Sequence, residues 1–197
     1  MLETKRPKLD LLSRPFLDQI VSEAVDVLEK TGVLVENDEA LRLLADAGCP
    51  CRERIVSFKP SLIEGSLKTA PRAIHMYDRG GALTMALEGD AVYFDPGSGA
   101  LKILDPATLA ERKPVTRDLV RFAILTDALQ NIAAQSTEMI SMDVPEAMQD
   151  RYRLYIGLRF CTKPIITGTF AVESFKIMKD MLVAVRGSER ALREKPL

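Results

Sequence analysis

The segment Lys163-Pro164-Ile165-Ile166-Thr167-Gly168 decides the fold that this sequence predicts. It indicates a short buried strand that begins after a Lys-Pro step. A long helical pattern follows, and Lys195-Pro196-Leu197 then repeats the same entry into a strand. Because two helices each lead to a Lys-Pro-apolar step, the segment predicts consecutive βα units.

The alternation of helix and strand begins at Thr116, the predicted N-cap of a helix that extends to Leu129. Strands separated by helices of ordinary length pair in parallel through right-handed crossovers. The predicted elements after this helix are a strand over 132–140, a helix over 145–160, a strand over 165–169, a helix over 172–185 and a last helical stretch to residue 194.

The length of this region limits the sheet that it can form. About 65 residues follow Asn131, which is room for two βα units at roughly 30 residues each. A complete eight-stranded barrel takes roughly 250 residues, and a two-stranded parallel sheet cannot cover its own faces. We therefore expect an α/β fold in which residues 116–197 form the first two βα units of an incomplete TIM (β/α)8 barrel that continues past Leu197.

Residues 1–115 are predicted to form an amino-terminal extension. Residues 1–14 are polar and interrupted by proline, which indicates an extended arm. Amphipathic helices are predicted over 16–28, 37–48 and 60–71, with a strand over 55–58. Short apolar or alternating runs separated by turn residues predict an antiparallel β-meander over 73–77, 83–87, 91–94 and 101–104.

The composition is that of an ordinary globular protein and excludes several classes of function. Hydrophobic residues are 47% and charged residues 28% of the 197, with 27 basic and 28 acidic side chains spread evenly. This balance predicts no nucleic-acid partner and no basic membrane patch. The charged start has no apolar core, and no apolar run approaches the roughly 18 residues of a membrane span. We expect a cytoplasmic protein.

The loop Asp95-Pro96-Gly97-Ser98-Gly99-Ala100 is the most distinctive local motif. Closely spaced glycines permit positive φ angles and a close approach of the backbone to a ligand. However, the loop precedes the predicted strand 101–104 and no helix, so the dinucleotide-binding and P-loop contexts both fail. The two interpretations are a wide hairpin turn and a ligand-binding loop that uses Pro96, Gly97, Ser98 and Gly99.

A second group of candidates lies at the carboxyl ends of the two predicted barrel strands. Glu138 and Asp143 follow the first strand. Active sites of barrel enzymes lie at this end, where a carboxylate can bind a cation or act as a general base. Asp143 could instead cap the helix that begins near Pro145. Thr167, Gly168 and Thr169 end the second strand and form either part of a site or a tight βα turn.

Other chemistry-bearing residues favour structural roles. A Cys-x-Cys pair, Cys49 and Cys51, with one distant cysteine has too few ligands for a structural zinc site unless the single histidine, His75, joins them, so no metal is expected. His75 alternates within a predicted strand, which favours a structural histidine over a catalytic one. Methionines near the first strand end could form an apolar wall around a methylated ligand, although core packing is the more common role; they are Met139, Met142 and Met148.

Several of these motifs together resemble the trimethylamine methyltransferase family, which includes pyrrolysine-containing enzymes and glycine betaine methyltransferase relatives. The resemblance covers nearly the whole chain in order, and the glycine loop and the Asp-Val-Pro step are its most specific parts. The motifs that carry it are Val25 with Leu28-Glu29-Lys30-Thr31-Gly32-Val33 of the first helix, the segments 38–48, 60–71 and 116–131, Val92-Tyr93-Phe94-Asp95-Pro96-Gly97-Ser98-Gly99, Leu104-Asp105 and Asp143-Val144-Pro145.

The resemblance implies a TIM-barrel methyltransferase that takes a methyl group from a tertiary or quaternary amine, such as trimethylamine or glycine betaine. The methyl group would pass to the cobalt of a corrinoid carried by a separate partner protein, so no cofactor is expected on this chain. A quaternary ammonium group suits an aromatic or carboxylate cage. The position where some members carry pyrrolysine lies beyond Leu197, and the resemblance assigns no catalytic residue here.

We expect the chain to be the amino-terminal part of such an enzyme, with little or no activity alone. A non-catalytic module that binds a partner or a full-length paralogue is one alternative, and a decayed gene product is another. The apolar faces of an unfinished βα sheet predict exposed hydrophobic surface, so self-association into a homo-oligomer is compatible with the sequence. The sequence leaves the amine and the pyrrolysine status open.

Overall fold

A computed structural model describes residues 10–197, and the chain forms two compact units that meet in sequence at Pro71 and Arg72. Residues 1–9 of the predicted extended arm lie outside the described part. The predicted boundary at residue 115 separates an amino-terminal extension from the start of a barrel, which is a different criterion from compactness. It therefore stays a prediction. Within residues 10–197 no helix is long and apolar enough to span a bilayer.

The first unit contains the three predicted helices and a small antiparallel sheet. Gly32 ends the first helix at a φ of 76°, where an added Cβ would lie 2.7 Å from the carbonyl oxygen of Val56. Asn37 caps the second helix by accepting a hydrogen bond from the amide of Ala40. The elements are α1 (Arg14–Asp26) continued by a π-helical turn (Val27–Thr31), β1 (Val33–Leu34), α2 (Asp38–Asp46), β2 (Cys51–Arg52), β3 (Ile55–Val56) and α3 (Pro60–Thr69), with sheet order β1-β3-β2.

The second unit begins with two separate antiparallel hairpins. The first pairs β4 (Ile74–Tyr77) with β5 (Leu83–Leu87), and the second pairs β6 (Ile103–Leu104) with β7 (Glu111–Arg112). The prediction of one continuous meander was wrong at 91–94, which is not a strand.

Two polar groups of segment 91–94 have hydrogen-bond partners in other segments of the unit. The carbonyl of Phe94 accepts a hydrogen bond from the amide of Ala133, and the Tyr93 hydroxyl accepts one from the amide of Ala86. The segment thus contacts β5 through the Tyr93 side chain and the start of the later region through the Phe94 carbonyl, and it forms no hairpin arm.

Helices and strands then alternate as predicted. The two strands of this region pair in parallel, with Gln135 opposite Ile165 and Ser136 opposite Ile166. The sheets of residues 10–197 are small, and none closes into a barrel. The elements are α4 (Thr116–Ala128), β8 (Gln135–Ser136), a 3₁₀ turn (Glu146–Met148), α5 (Gln149–Phe160), β9 (Ile165–Ile166), α6 (Val172–Arg186) and α7 (Glu189–Glu194).

Helix α5 organises the core of this alternating region because it contributes to two apolar clusters. Ile156 packs on the side of α4, whereas Leu154 and Leu158 pack on the side of β9 and α6. Burial of the two faces of one helix fixes α5 over the parallel strand pair. The first cluster is Leu119, Ala123, Met139, Ile156 and Cys161, and the second is Leu154, Leu158, Ile165, Met178 and Leu197.

Candidate functional site

The glycine loop lies against the continuation of β8, not in a hairpin. The amide of Gly99 donates to the carbonyl of Thr137 at 3.2 Å, and the amide of Ala100 donates to the carbonyl of Glu138 at 2.8 Å. On its other side the same strand continues the parallel ladder, because the amide of Thr137 donates to the carbonyl of Ile166 at 3.3 Å. The hairpin interpretation of the loop was therefore wrong, and the loop flanks the strand that leads to Glu138.

The backbone of this loop requires its glycines. Gly97 and Gly99 have φ angles of 82° and 80°, a region that side chains with a Cβ rarely adopt. Asp95 accepts a hydrogen bond from the amide of Gly97 at 2.8 Å, which stabilises the turn through the half-buried Pro96. The turn directs the exposed Ser98 toward the end of β8.

Three hydroxyl side chains meet at this place. The Ser98 hydroxyl donates to the carbonyl of Thr137 at 3.2 Å, and the Thr137 and Thr167 hydroxyls lie 3.1 Å apart. Ser136 donates to the carbonyl of Gly97. The structure thus brings together the glycine loop and Thr167, two predicted candidates from distant parts of the sequence.

Glu138 directly follows Thr137 in the chain and is buried. Its carboxylate accepts a 2.7 Å hydrogen bond from Nε2 of Gln135, and only 7% of the residue is exposed. Burial raises the pKa of Glu138 to about 7, although Arg153 and Gln135 favour its charged form. A carboxyl group with this pKa exchanges a proton near neutral pH, which suits a proton-transfer role or a switchable charge.

Arg153 of α5 is the buried cation of this region. Its Nη1 donates to the carbonyl of Thr137 at 2.8 Å, and its guanidinium lies 4.5 Å from the centre of the Phe170 ring. Burial lowers the pKa of Arg153, whereas Asp150 and Glu138 oppose that shift. Two buried polar atoms, Oε1 of Gln135 and Nε of Arg153, have no hydrogen-bond partner within the described chain.

Asp143 contacts the beginning of α4. Its Oδ1 accepts hydrogen bonds from the amide and hydroxyl of Thr116, at 2.9 and 3.1 Å, and from the Ser141 hydroxyl at 2.5 Å. It therefore caps α4 and not the helix after Pro145. The prediction of Thr116 as the N-cap was also wrong, because Thr116 is the first helical residue and Val115 holds the cap position.

Thr167, Gly168 and Thr169 line one wall of a cavity of about 510 Å³. The other walls are mainly apolar and come from α6, α7 and the end of the chain. Lys179 is a charged residue of the lining, and it pairs with Glu189 at 2.8 Å. An apolar cavity with hydroxyl groups at one end suits a small ligand with methyl groups. The remaining lining residues are Leu154, Phe175, Met178, Leu182, Leu192, Pro196 and Leu197.

The sequence reasoning missed Gln135, Asp150, Arg153 and Phe170. Gln135 follows three apolar residues, 132–134, within the predicted strand and stands three residues before Glu138; a polar residue in a predicted buried strand is a signal that could have found it. Arg153 adjoins the core residue Leu154 in α5 and carries a similar signal. No local sequence pattern marks Phe170, because its role depends on its contact with Arg153 of α5.

Side chains of the types that bind metal ions contribute little to the site, and Met139, Met142 and Met148 do not form a wall around it. Among residues 10–197 no group of three or more His, Cys, Asp or Glu side chains could hold a metal ion. His75 is exposed on β4, with its Nε2 3.7 Å from Glu88. Met139 is part of the core, as the structural alternative predicted, whereas Met142 and Met148 are exposed.

Comparison with known proteins matches residues 1–197 to the family described as trimethylamine methyltransferase (MTTB). The chain is 26% identical over 180 residues to trimethylamine methyltransferase MttB of Desulfitobacterium hafniense (strain DSM 10664 / DCB-2), covering 90% of this chain and 36% of that protein. It is 23% identical over 192 residues to the glycine betaine methyltransferase of D. hafniense (strain Y51), covering 97% of this chain and 40% of that protein. The chain thus spans well under half the length of these relatives.

Proposed function

The chain belongs to the trimethylamine methyltransferase family, and from this premise we propose that it forms part of an enzyme that demethylates a tertiary or quaternary amine. In this proposal the methyl group passes to the cobalt of a corrinoid on a separate partner protein. The substrates are trimethylamine, glycine betaine or an amine of the same type. Because the chain spans 36% and 40% of the two relatives, the proposal assigns it one part of the catalytic framework.

The observation that carries the proposal is the convergence of candidate residues at the carboxyl end of the parallel strand pair. Ser98, Thr137 and Thr167 meet there, and Glu138, the residue after Thr137, is buried. In barrel enzymes this end of the strands carries the active site. The β8–α5–β9–α6 order supports the further proposal that the region is the beginning of a TIM barrel.

The chemistry of these groups suits an amine substrate. The carboxyl group of Glu138 supplies negative charge when it is ionised, which favours a methylated ammonium group over a neutral compound. Thr167 belongs both to the hydroxyl cluster with Thr137 and to the lining of the apolar cavity, and this combination favours methyl groups with a polar end. These residues bind and orient the amine in the proposal, while the corrinoid, when bound to its own protein, supplies the nucleophile that accepts the methyl group.

Amine binding can be tested on the chain as it stands. We expect glycine betaine or trimethylammonium, added to ¹⁵N-labelled protein, to shift amide resonances of segments 97–99, 137–138 and 167–169. Glycine and ammonium, which lack methyl groups, serve as matched ligands. Methyl transfer to a corrinoid protein, followed by its visible spectrum, is expected to be absent or weak for this chain alone.

A matched variant makes the binding test specific. Thr167→Val keeps the shape of the side chain and removes its hydroxyl, so we expect weaker binding of the methylated amines and little change in folding. Thr84→Val, at an exposed position of β5, is the control. Equal shifts with glycine and ammonium, or shifts confined to other parts of the chain, would contradict the proposed substrate class.

A binding role without catalysis is the second candidate. It is favoured by large apolar side chains that are exposed at the start of α6, where Val172 is 85% and Phe175 63% exposed. A partner or a second copy of the chain could cover this surface, and homo-oligomer formation belongs to this candidate. Concentration-dependent mass in sedimentation, without any amine-dependent shift, would favour it. The cytoplasmic location stays a prediction.

A further inference from the structure

Helix α5 contacts the segment that follows β9 at two positions one turn apart. Asp150 is 2% exposed and accepts a hydrogen bond from the amide of Phe170 at 3.0 Å. Arg153 is 4% exposed and lies 4.5 Å from the centre of the Phe170 ring. One residue of the segment is therefore held through its backbone and its ring by the same helix.

The carboxylate of Asp150 also holds the beginning of α6. Burial raises the pKa of Asp150, but the amide of Phe170 and the side chain of Ser174, in the first turn of that helix, hold it below its ordinary range. Ala171 holds the N-cap position of α6 and has no side chain that can cap. Asp150 therefore approaches the start of α6 from a neighbouring helix, at the amide of Phe170 and the side chain of Ser174.

Arg153 joins the same segment to the end of β8. Its Nη1 donates to the carbonyl of Thr137 at 2.8 Å while its guanidinium stacks on Phe170. The Thr137 hydroxyl in turn lies 3.1 Å from the Thr167 hydroxyl. Arg153 thus contacts the end of β8 directly, and the Thr137 and Thr167 hydroxyls connect the ends of β8 and β9. The relative position of Thr137 and Thr167 therefore depends on α5.

We infer that Asp150 and Arg153 are positioning residues that hold segment 167–170 against the end of β8. Without them the segment has little to fix it, because Phe170 is 55% exposed and an added Cβ at Gly168 meets nothing within 4 Å. The consequence for amine binding rests on the proposed function. The positioning itself is a property of this chain and is measured without any ligand.

Amide hydrogen exchange of Phe170, followed by NMR, tests the inference directly. Asp150→Ala removes the acceptor, and we expect exchange at Phe170 to become roughly 10- to 100-fold faster. Asp150→Asn keeps an acceptor oxygen in the same place and is expected to restore most of the protection. Arg153→Lys, which loses the planar group over the ring, is expected to speed exchange by a smaller factor.

Asp127→Ala is the matched control because it removes a similar contact at the opposite end of β9. Asp127 accepts hydrogen bonds from the amide and hydroxyl of Thr162 at 2.7 and 2.8 Å. Its loss is expected to speed exchange at Thr162 and leave Phe170 protected. If Asp150→Ala does not fold, Arg153→Lys carries the test at the amide of Phe170. Unchanged exchange at Phe170, or equal acceleration throughout β9 and α6, would overturn the inference.

Discussion

Glu138 accepts a 2.7 Å hydrogen bond from Nε2 of Gln135, and both side chains are buried at the end of β8. Burial raises the pKa of Glu138 from the ordinary 4.5 to about 7. Between these two values the folded protein keeps a proton that the unfolded chain has released. The free energy of unfolding contributed by this group therefore falls as the pH rises from about 4.5 to about 7.

We expect Glu138→Gln to remove this dependence because the amide cannot ionise. Between about pH 5 and pH 8 the variant should gain on the order of 2–3 kcal/mol of stability relative to the wild type. Urea unfolding followed by circular dichroism at several pH values measures the difference. Glu146→Gln, at an exposed position, makes the same charge change and is the control. A constant difference across this pH range would contradict the raised pKa.

The contact between Asp143 and Thr116 leads to a second prediction. Burial raises the pKa of Asp143, but hydrogen bonds from Ser141 and Thr116 outweigh this and hold the pKa below its usual range. We expect Asp143→Ala to lower the free energy of unfolding by about 1–2 kcal/mol near neutral pH, since α4 loses its cap. Asp143→Asn keeps the acceptor oxygen and should cost less.

The pH dependence of this loss distinguishes a charged cap from a packing contact. Because the folded-state pKa of Asp143 is lowered, its stabilisation is present above the ordinary value of 3.8 and is lost as the pH falls through the folded-state pKa. The wild type and Asp143→Ala should therefore become more similar in acid. Thermal unfolding at descending pH values shows this, and an unchanged gap would contradict it.

Helices were predictable because their signals are local. The helix predicted over 172–185 is observed as α6, Val172–Arg186, and it ends where Gly187 adopts a φ of 89°. The strand predicted over 132–140 shortens to Gln135–Ser136, because ladder length depends on the partner strand and β9 is equally short. Parallel pairing followed from the helix between the strands, whereas the length of the ladder did not.

The candidate site was only partly predictable for the same reason. The position of Thr167 at the end of a strand follows from local pattern, but its 3.1 Å contact with Thr137 needs the observed register. The contact of Ser98 with Thr137 joins residues 39 positions apart in sequence. No periodicity in the glycine loop encodes such a partner, and the loop therefore suggested a hairpin.

The different backbone angles of Gly97 and Gly168 lead to a third prediction. Gly97→Ala places a Cβ on a residue with a φ of 82°, whereas Gly168→Ala does so at an ordinary φ, and neither Cβ meets an atom within 4 Å. The difference between the variants is therefore backbone strain alone. We expect Gly97→Ala to lower the free energy of unfolding by about 1–2 kcal/mol and Gly168→Ala to change it little. Equal losses in urea unfolding would mean that the loop does not need its positive φ.

The repeated Lys-Pro step gives the last prediction because its two lysines have different surroundings. The ammonium group of Lys163 donates to the carbonyls of Thr126, Leu129 and Ile132, each at 2.6 Å. It thereby adds a charged donor to carbonyls of the last turn of α4 and of the segment that follows it. Lys195 is exposed and donates to one carbonyl, that of Gly81 at 3.0 Å.

Lys163→Met keeps the length and apolar stem of the side chain but removes the three hydrogen bonds. We expect it to lower the free energy of unfolding by roughly 2–3 kcal/mol, because hydrogen bonds to a half-buried charged group stabilise more than those at the surface. Lys195→Met, the matched variant in the second step, should cost less than about 1 kcal/mol. Urea unfolding of the two variants measures the two losses. Similar losses in the two variants would show that the lysine of the first step does not act as the carboxyl-terminal cap of α4.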